Sequence, residues 1–76
     1  MKDLAYKIVT ALVDHPEDVS VTEIEGSQSI VIEIAVAKDD IGKIIGKQGK
    51  TAMALRTLIS AAAGKQRKHI ILEILE

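Results

Sequence analysis

The sequence predicts a small α+β domain with the element order α-β-β-α-α-β. Three observations carry that reading. Apolar residues recur at helical spacing near the start and again between residues 50 and 63. Three β-rich runs surround them, two of them separated by Gly26-Ser27. Between the two later helices lies IGKIIGKQGKT, residues 41–51, which holds three of the chain's five glycines.

Taken in order, residues 2–14 place Leu4, Ala5, Ile8, Val9, Leu12 and Val13 at helical spacing, and His15-Pro16 ends the helix because proline disfavours helical geometry in the residue before it. VSVTEIE (19–25) and QSIVIEIAV (28–36) read as a hairpin about the Gly26-Ser27 turn, with Ile30, Ile32, Ile34 and Val36 on one face. Asp39 and Asp40 are suited to cap a short helix over residues 40–45. A longer helix follows over 50–63, closed by Gly64 at the position after its C-cap. KHIILEIL then alternates Ile70, Leu72 and Ile74 as the last strand. GKQG, residues 46–49, is left as the tight link between the two helices.

Composition limits what such a chain can do. A domain of 76 residues that is 47% apolar can build one core, although at this size only about 60% of the unfolded chain's surface is buried. The reading is therefore one domain over residues 1–76, with no cleft between two domains. Without cysteine there is no disulfide framework or thiolate metal site. No apolar run is long enough to span a bilayer, and MKDLAYKIV is too short and too acidic for a secretory signal, so a cytoplasmic protein without membrane partners is expected. The net charge of −1 conceals a segregation. Residues 1–40 set three lysines against nine acids, a local charge of −6, whereas residues 41–72 carry seven cations and no acid. A basic segment around a glycine loop points to a polyanion.

The loop is not a nucleotide P-loop. Gly49-Lys50-Thr51 matches the end of GxxxxGK[ST], but the first glycine of that motif falls on Ile44, and Gly42, Gly46 and Gly49 do not fit GxGxxG. What remains is a Gly-x-x-Gly. In combination with Ile41-Gly42, Ile45-Gly46, Lys47-Gln48 and Gly49 between two helices, it resembles the signature of the KH domain in its type II arrangement. The stretch IGKIIGKQGKTAMALRTLISAAAGKQRK in so short a chain is similar to the small bacterial single-KH RNA-binding proteins of the KhpA (YlqC) family. The resemblance implies a three-stranded mixed sheet with helices packed on one face and binding of single-stranded RNA in a groove. It also implies a role as post-transcriptional regulator or RNA chaperone, and a homodimer or a heterodimer with a KhpB (Jag)-type protein. A KH fold serving as a protein-interaction adaptor is the alternative.

The residues support this independently. Gly46 and Gly49 allow a sugar-phosphate chain to lie against the backbone, and the helix opening at Lys50 turns its free N–H groups toward the phosphates. The RNA-binding candidates are Gly42, Lys43, Gly46, Lys47, Gln48, Gly49 and Lys50. Across the groove the resemblance adds Lys65, Arg67 and Lys68, and it places Ile45 on an apolar floor. With one tyrosine, Tyr6, and no Phe or Trp, base stacking on aromatic side chains is not available to the groove. On the long helix Leu55, Leu58, Ile59 and Ala62 are expected in the core. Met53, Ala54, Thr57, Ser60 and Ala61 form an uncharged outer face, a candidate dimer interface. Two separated histidines, no cysteine and no acid pair suited to proton transfer predict neither enzyme nor metal site nor cofactor.

Overall fold

Residues 2–64 and 68–75 are described by a computed structural model. The first helix, α1 (Lys2–Leu12), buries Ala5 and Val9 and is followed by buried Val13. It ends two residues earlier than its periodicity suggests, and Leu12 stays exposed. A one-turn segment at Pro16–Asp18 leads into β1 (Ser20–Glu25), which pairs antiparallel with β2 (Ser29–Ala35) from Ser20↔Ala35 to Glu25↔Ile30. The turn between them is closed by Gly26 N–H donating to the Ser29 carbonyl at 2.8 Å. After a turn at Lys38–Asp40 come α2 (Ile41–Ile45), the link, and α3 (Lys50–Ala62). The last strand, β3 (His69–Leu75), runs parallel to β2, so the sheet order is β1-β2-β3 and the sheet is mixed. This is the type II KH fold.

Every second residue of β2 points at the helices. Ile30, Ile32 and Ile34 are fully buried there and pack with Ala5, Val9, Ile44, Leu55 and Ile59. The parallel register brings Ile70, Leu72 and Ile74 to the same face, half-buried because β3 lies at the sheet edge. The opposite face is open: Ile24 and Ile71 are exposed in one row with Val31 between them, and Glu33 and Glu73 stand side by side in the next. Neither glutamate has a cation partner among the described residues.

Two expectations about α3 are corrected. Leu58 is 55% exposed and Ala62 is also exposed, while Ala63 is buried beside Leu55 and Ile59. Both apolar arcs satisfy the helical period. The contacts of α3 with α1, α2 and β3 select the one that includes Ala63 and half-buried Ala52. Gly64 does follow the helix, but Ala63 N–H bonds the Ile59 carbonyl and Gly64 does not take the left-handed conformation.

A third correction concerns Asp39 and Asp40. Asp40 stands before α2 but makes no cap bond to it, and Asp39 is exposed. The Asp40 side chain is fully buried and accepts hydrogen bonds from the backbone N–H of Asp14, at 3.1 Å, and of His15, at 2.9 Å. It thereby receives the chain as it leaves α1. Burial, the largest influence, raises its carboxyl pKa, yet the two backbone donors with the charges of His15 and Lys43 outweigh it and hold the carboxyl below the ordinary aspartate value.

A depressed folded pKa means stabilisation that is present above the unfolded value of about 3.9 and is lost as pH falls through the lower folded value. Asp40→Asn should lower the thermal midpoint at neutral pH by several degrees. It should also flatten the fall in stability between pH 5 and 2, both followed by circular dichroism melts. An unchanged acid limb would show that Asp40 is not a principal titrating group.

Candidate nucleic-acid interface

The link between α2 and α3 has a backbone that few residues can adopt. Gly46 has φ 74° and ψ 175°, a combination open essentially only to glycine. Gln48 (φ 59°) and Gly49 (φ 74°) follow in the left-handed region. Gly46 N–H closes α2 on the Gly42 carbonyl at 2.8 Å, and Gly49 N–H bonds the Gly46 carbonyl at 3.2 Å. The chain folds back so closely that a Cβ on Gly46 would lie 2.6 Å from the Thr51 Cβ and 2.9 Å from its backbone nitrogen. A Cβ on Gly49 or Gly42 would meet nothing within 4 Å, so Gly42 is not held by close packing.

α3 starts directly after Gly49 with no side-chain cap. The Lys50 N–H is taken by the Lys47 carbonyl, so it is the positive end of the α3 dipole that opens beside the link, an arrangement suited to phosphate oxygens. Lys47, Gln48 and Lys50 are exposed around it. Lys43 is occupied otherwise. Its ammonium pairs with the Asp14 carboxylate and lies 3.6 Å from Asp40. The hydrogen bond to Asp14, against some desolvation, raises its pKa. Lys68 is likewise paired, with Glu25, and that bond and charge lower the glutamate's pKa. Lys65 and Arg67 lie outside the described residues. Among the described residues of the basic segment, Lys47, Lys50 and Arg56 have no carboxylate partner.

Beyond the link, a groove runs between α3 and the edge strand β3. One part, of about 310 Å³, is lined by Ala52, Met53, Arg56, Leu72 and Ile74. It continues past Arg56 toward Thr57, Ser60, Lys68, His69 and Ile70. The floor is aliphatic, and because β3 is an edge strand its outer N–H and C=O groups border the groove unpaired in the sheet. Ile45 is not among the residues that line these two stretches, and its side chain is 38% exposed on α2. The sequence reading missed Leu72, Ile74 and Arg56 as groove residues. The inward alternation of β3 was visible, but not that α3 leaves its edge uncovered. Tyr6 is partly exposed on α1 and outside the groove.

A third concavity lies on another side of α3, lined by Lys50, Met53, Ala54, Thr57 and Leu58. Met53, 61% exposed, borders both this hollow and the groove. Leu58 thus joins Met53, Ala54, Thr57 and Ala61 on the uncharged outer face, whereas Ser60 borders the groove and Thr57 borders both.

A family model described as KhpA/KhpB, KH domain, matches residues 2–74. The chain belongs to this family. A protein of Caldanaerobacter subterraneus subsp. tengcongensis named RNA-binding protein KhpA is 55% identical over 75 residues, 99% of this chain and all of its own. Proteins of the same name from Clostridium acetobutylicum and Halalkalibacterium halodurans are each 51% identical, over 99% and 100% of this chain and the whole of theirs. No solved structure matches. Among the described residues no helix is long and apolar enough to cross a membrane.

The two loop glycines differ in what they tolerate. Gly46→Ala meets both the glycine-only backbone and Thr51, so it should cost more than about 2 kcal/mol of stability. Gly49→Ala meets only the left-handed penalty of about 1 kcal/mol. Urea unfolding of the two variants should separate them in that order.

Proposed function

We propose that this chain, as one KH domain over residues 1–76, holds a short single strand of RNA in the cytoplasm. The phosphates lie against the GKQG link and the start of α3, and the bases lie on the β3 side. The observation that carries this is the link itself. A glycine-only conformation at Gly46, pressed onto Thr51, brings bare backbone and a helix N-terminus to an exposed position flanked by two unpaired lysines. An adaptor with little RNA binding has no use for that strain. The relatives' name supports RNA as the polyanion. The reading includes no catalysis, cofactor or metal. A binder of this kind acts as a post-transcriptional regulator or RNA chaperone.

Lys47→Asp with Gln48→Asp should abolish binding to an unpaired oligonucleotide and leave the melting temperature nearly unchanged, since both side chains are exposed. Binding equal to the parent's would refute the role of the link. With three phosphates neutralised, by Lys47, Lys50 and the 65–68 segment, log affinity should fall with log salt at a slope of about −2, taking ~0.7 per contact on a single strand.

The outer face of α3 supports pairing with a second copy or a KhpB-type protein. Met53 and Leu58 are well exposed there beside small Ala54, Thr57 and Ala61. Pairing joins two short grooves on one RNA and raises apparent affinity through effective concentration. Leu58→Glu and Ala61→Glu should each give a folded monomer by sedimentation, with weaker binding only to RNAs long enough to span two grooves. A parent that sediments as a monomer at micromolar concentration would leave the heterodimer as the paired form.

A further inference from the structure

Arg56 occupies a place that the link's lysines do not. It lies six residues into α3 from Lys50, which at about 1.5 Å per residue sets it about 9 Å along the helix from the phosphate-binding end. It borders both stretches of the groove, above the aliphatic floor of Leu72 and Ile74. It is exposed and has no carboxylate partner among the described residues. In the stretch over Leu72 and Ile74 the rest of the described lining is apolar, so the guanidinium is the one planar side chain and the one side-chain donor there; Thr57, Ser60, Lys68 and His69 line the other stretch.

Resting on the groove reading above, we infer that Arg56 reads a base: its two parallel N–H donors select an edge that presents two adjacent acceptors. Guanine offers O6 and N7 on its Hoogsteen edge, and cytosine offers O2 and N3 on its Watson–Crick edge. Adenine sets a donor beside N7, and uracil places its N3–H between two acceptors, so neither receives both bonds. In an unpaired strand both kinds of edge are accessible. The ligand class is therefore single-stranded RNA with a guanine or cytosine at the position over Leu72 and Ile74. Adenine or uracil there binds with the backbone contacts alone.

A phosphate contact and a base contact differ in what substitution does. Losing a phosphate contact weakens all sequences alike; losing a base-edge contact removes discrimination. The test uses fluorescence anisotropy with an eight-nucleotide A-tract and versions carrying one central guanine, cytosine, uracil or 7-deazaguanine. The parent should bind the guanine or the cytosine oligomer about ten- to a hundredfold more tightly than the A-tract and the uracil version. If guanine is the base preferred, 7-deazaguanine, which lacks the N7 acceptor, falls to the level of the A-tract, and a modified oligomer that keeps the guanine affinity overturns the two-acceptor reading. Arg56→Lys keeps the charge but not the fork, and should retain A-tract binding while bringing all oligomers within about twofold. Arg56→Ala, at an exposed position, should melt like the parent and show the same loss of preference.

Equal parental affinity for all the oligomers overturns the inference, as does a preference that survives in Arg56→Lys. So does a uniform loss in Arg56→Ala that Arg56→Lys restores, which would make Arg56 a phosphate ligand. In these cases the groove reading stands so long as Lys47→Asp with Gln48→Asp abolishes binding. If the parent binds no oligomer, both fall.

Discussion

The buried carboxylate of Asp40 is the constraint on which the placement of the loop depends. α2 has only five residues, far below the length at which a helix holds itself together in water. Its position is imposed from outside. Asp40 fixes the N-terminal end to the backbone leaving α1, Ile44 is buried among β2, α1 and α3, and the turn at Gly46 sets the direction in which the chain departs. Replacing the two backbone donors by nothing would leave an ion in a dry site, so the loop after α1 and the turn before α2 must move together. The Lys43 bridge to Asp14 closes the same junction from its exposed side. The glycine link is then presented at one place by a helix that cannot shift without opening the core.

What the sequence made legible was local. The hairpin follows from a turn dipeptide between alternating runs, and the inward face of β3 from its period of two. The link follows from two glycines three residues apart between helical runs, of which Gly46 has the glycine-only backbone while Gly49 shares the left-handed region with Gln48. What it did not show depends on neighbours distant in the chain. Leu58 and Ala63 fit the helical period equally well, and only the direction from which β3 and α2 approach decides that one is exposed and the other buried. Asp40 has the sequence of a cap because it precedes a helix; its partners are 25 and 26 residues away. Arg56 was visible as a cation, but its place above Leu72 and Ile74 requires the crossover that brings β3 beside β2.

The charge segregation along the chain is rearranged by folding rather than carried over unchanged. Lys43 and Lys68, at the two flanks of the basic segment, are taken up by Asp14 and Glu25 from the acidic one. Among the described residues this leaves unpaired Lys47 and Lys50 at the link and Arg56 further along α3. On the far side of the sheet, Glu33 and Glu73 stand adjacent across the parallel pair, where like charges repel one another and any polyanion. A molecule with a net charge of −1 therefore attracts phosphate on one side and repels it on the other. On the proposed reading, that polarity orients an approaching strand toward the groove before any contact forms.

α3 joins the three kinds of contact in one rigid element. Leu55 and Ile59 fix it to the core, Ala52 and Arg56 border the groove, Ala54 and Leu58 face outward, and Thr57 stands at the margin of both. Met53 belongs to both exposed surfaces. On the proposed reading, a strand in the groove covers one side of this thioether and a paired helix covers the other. An unbranched side chain with three rotatable bonds loses most of its rotamer freedom to whichever contact forms first. The second contact meets a side chain already ordered. RNA and partner are then favourably coupled through the entropy of one methionine, with no movement of the backbone between them.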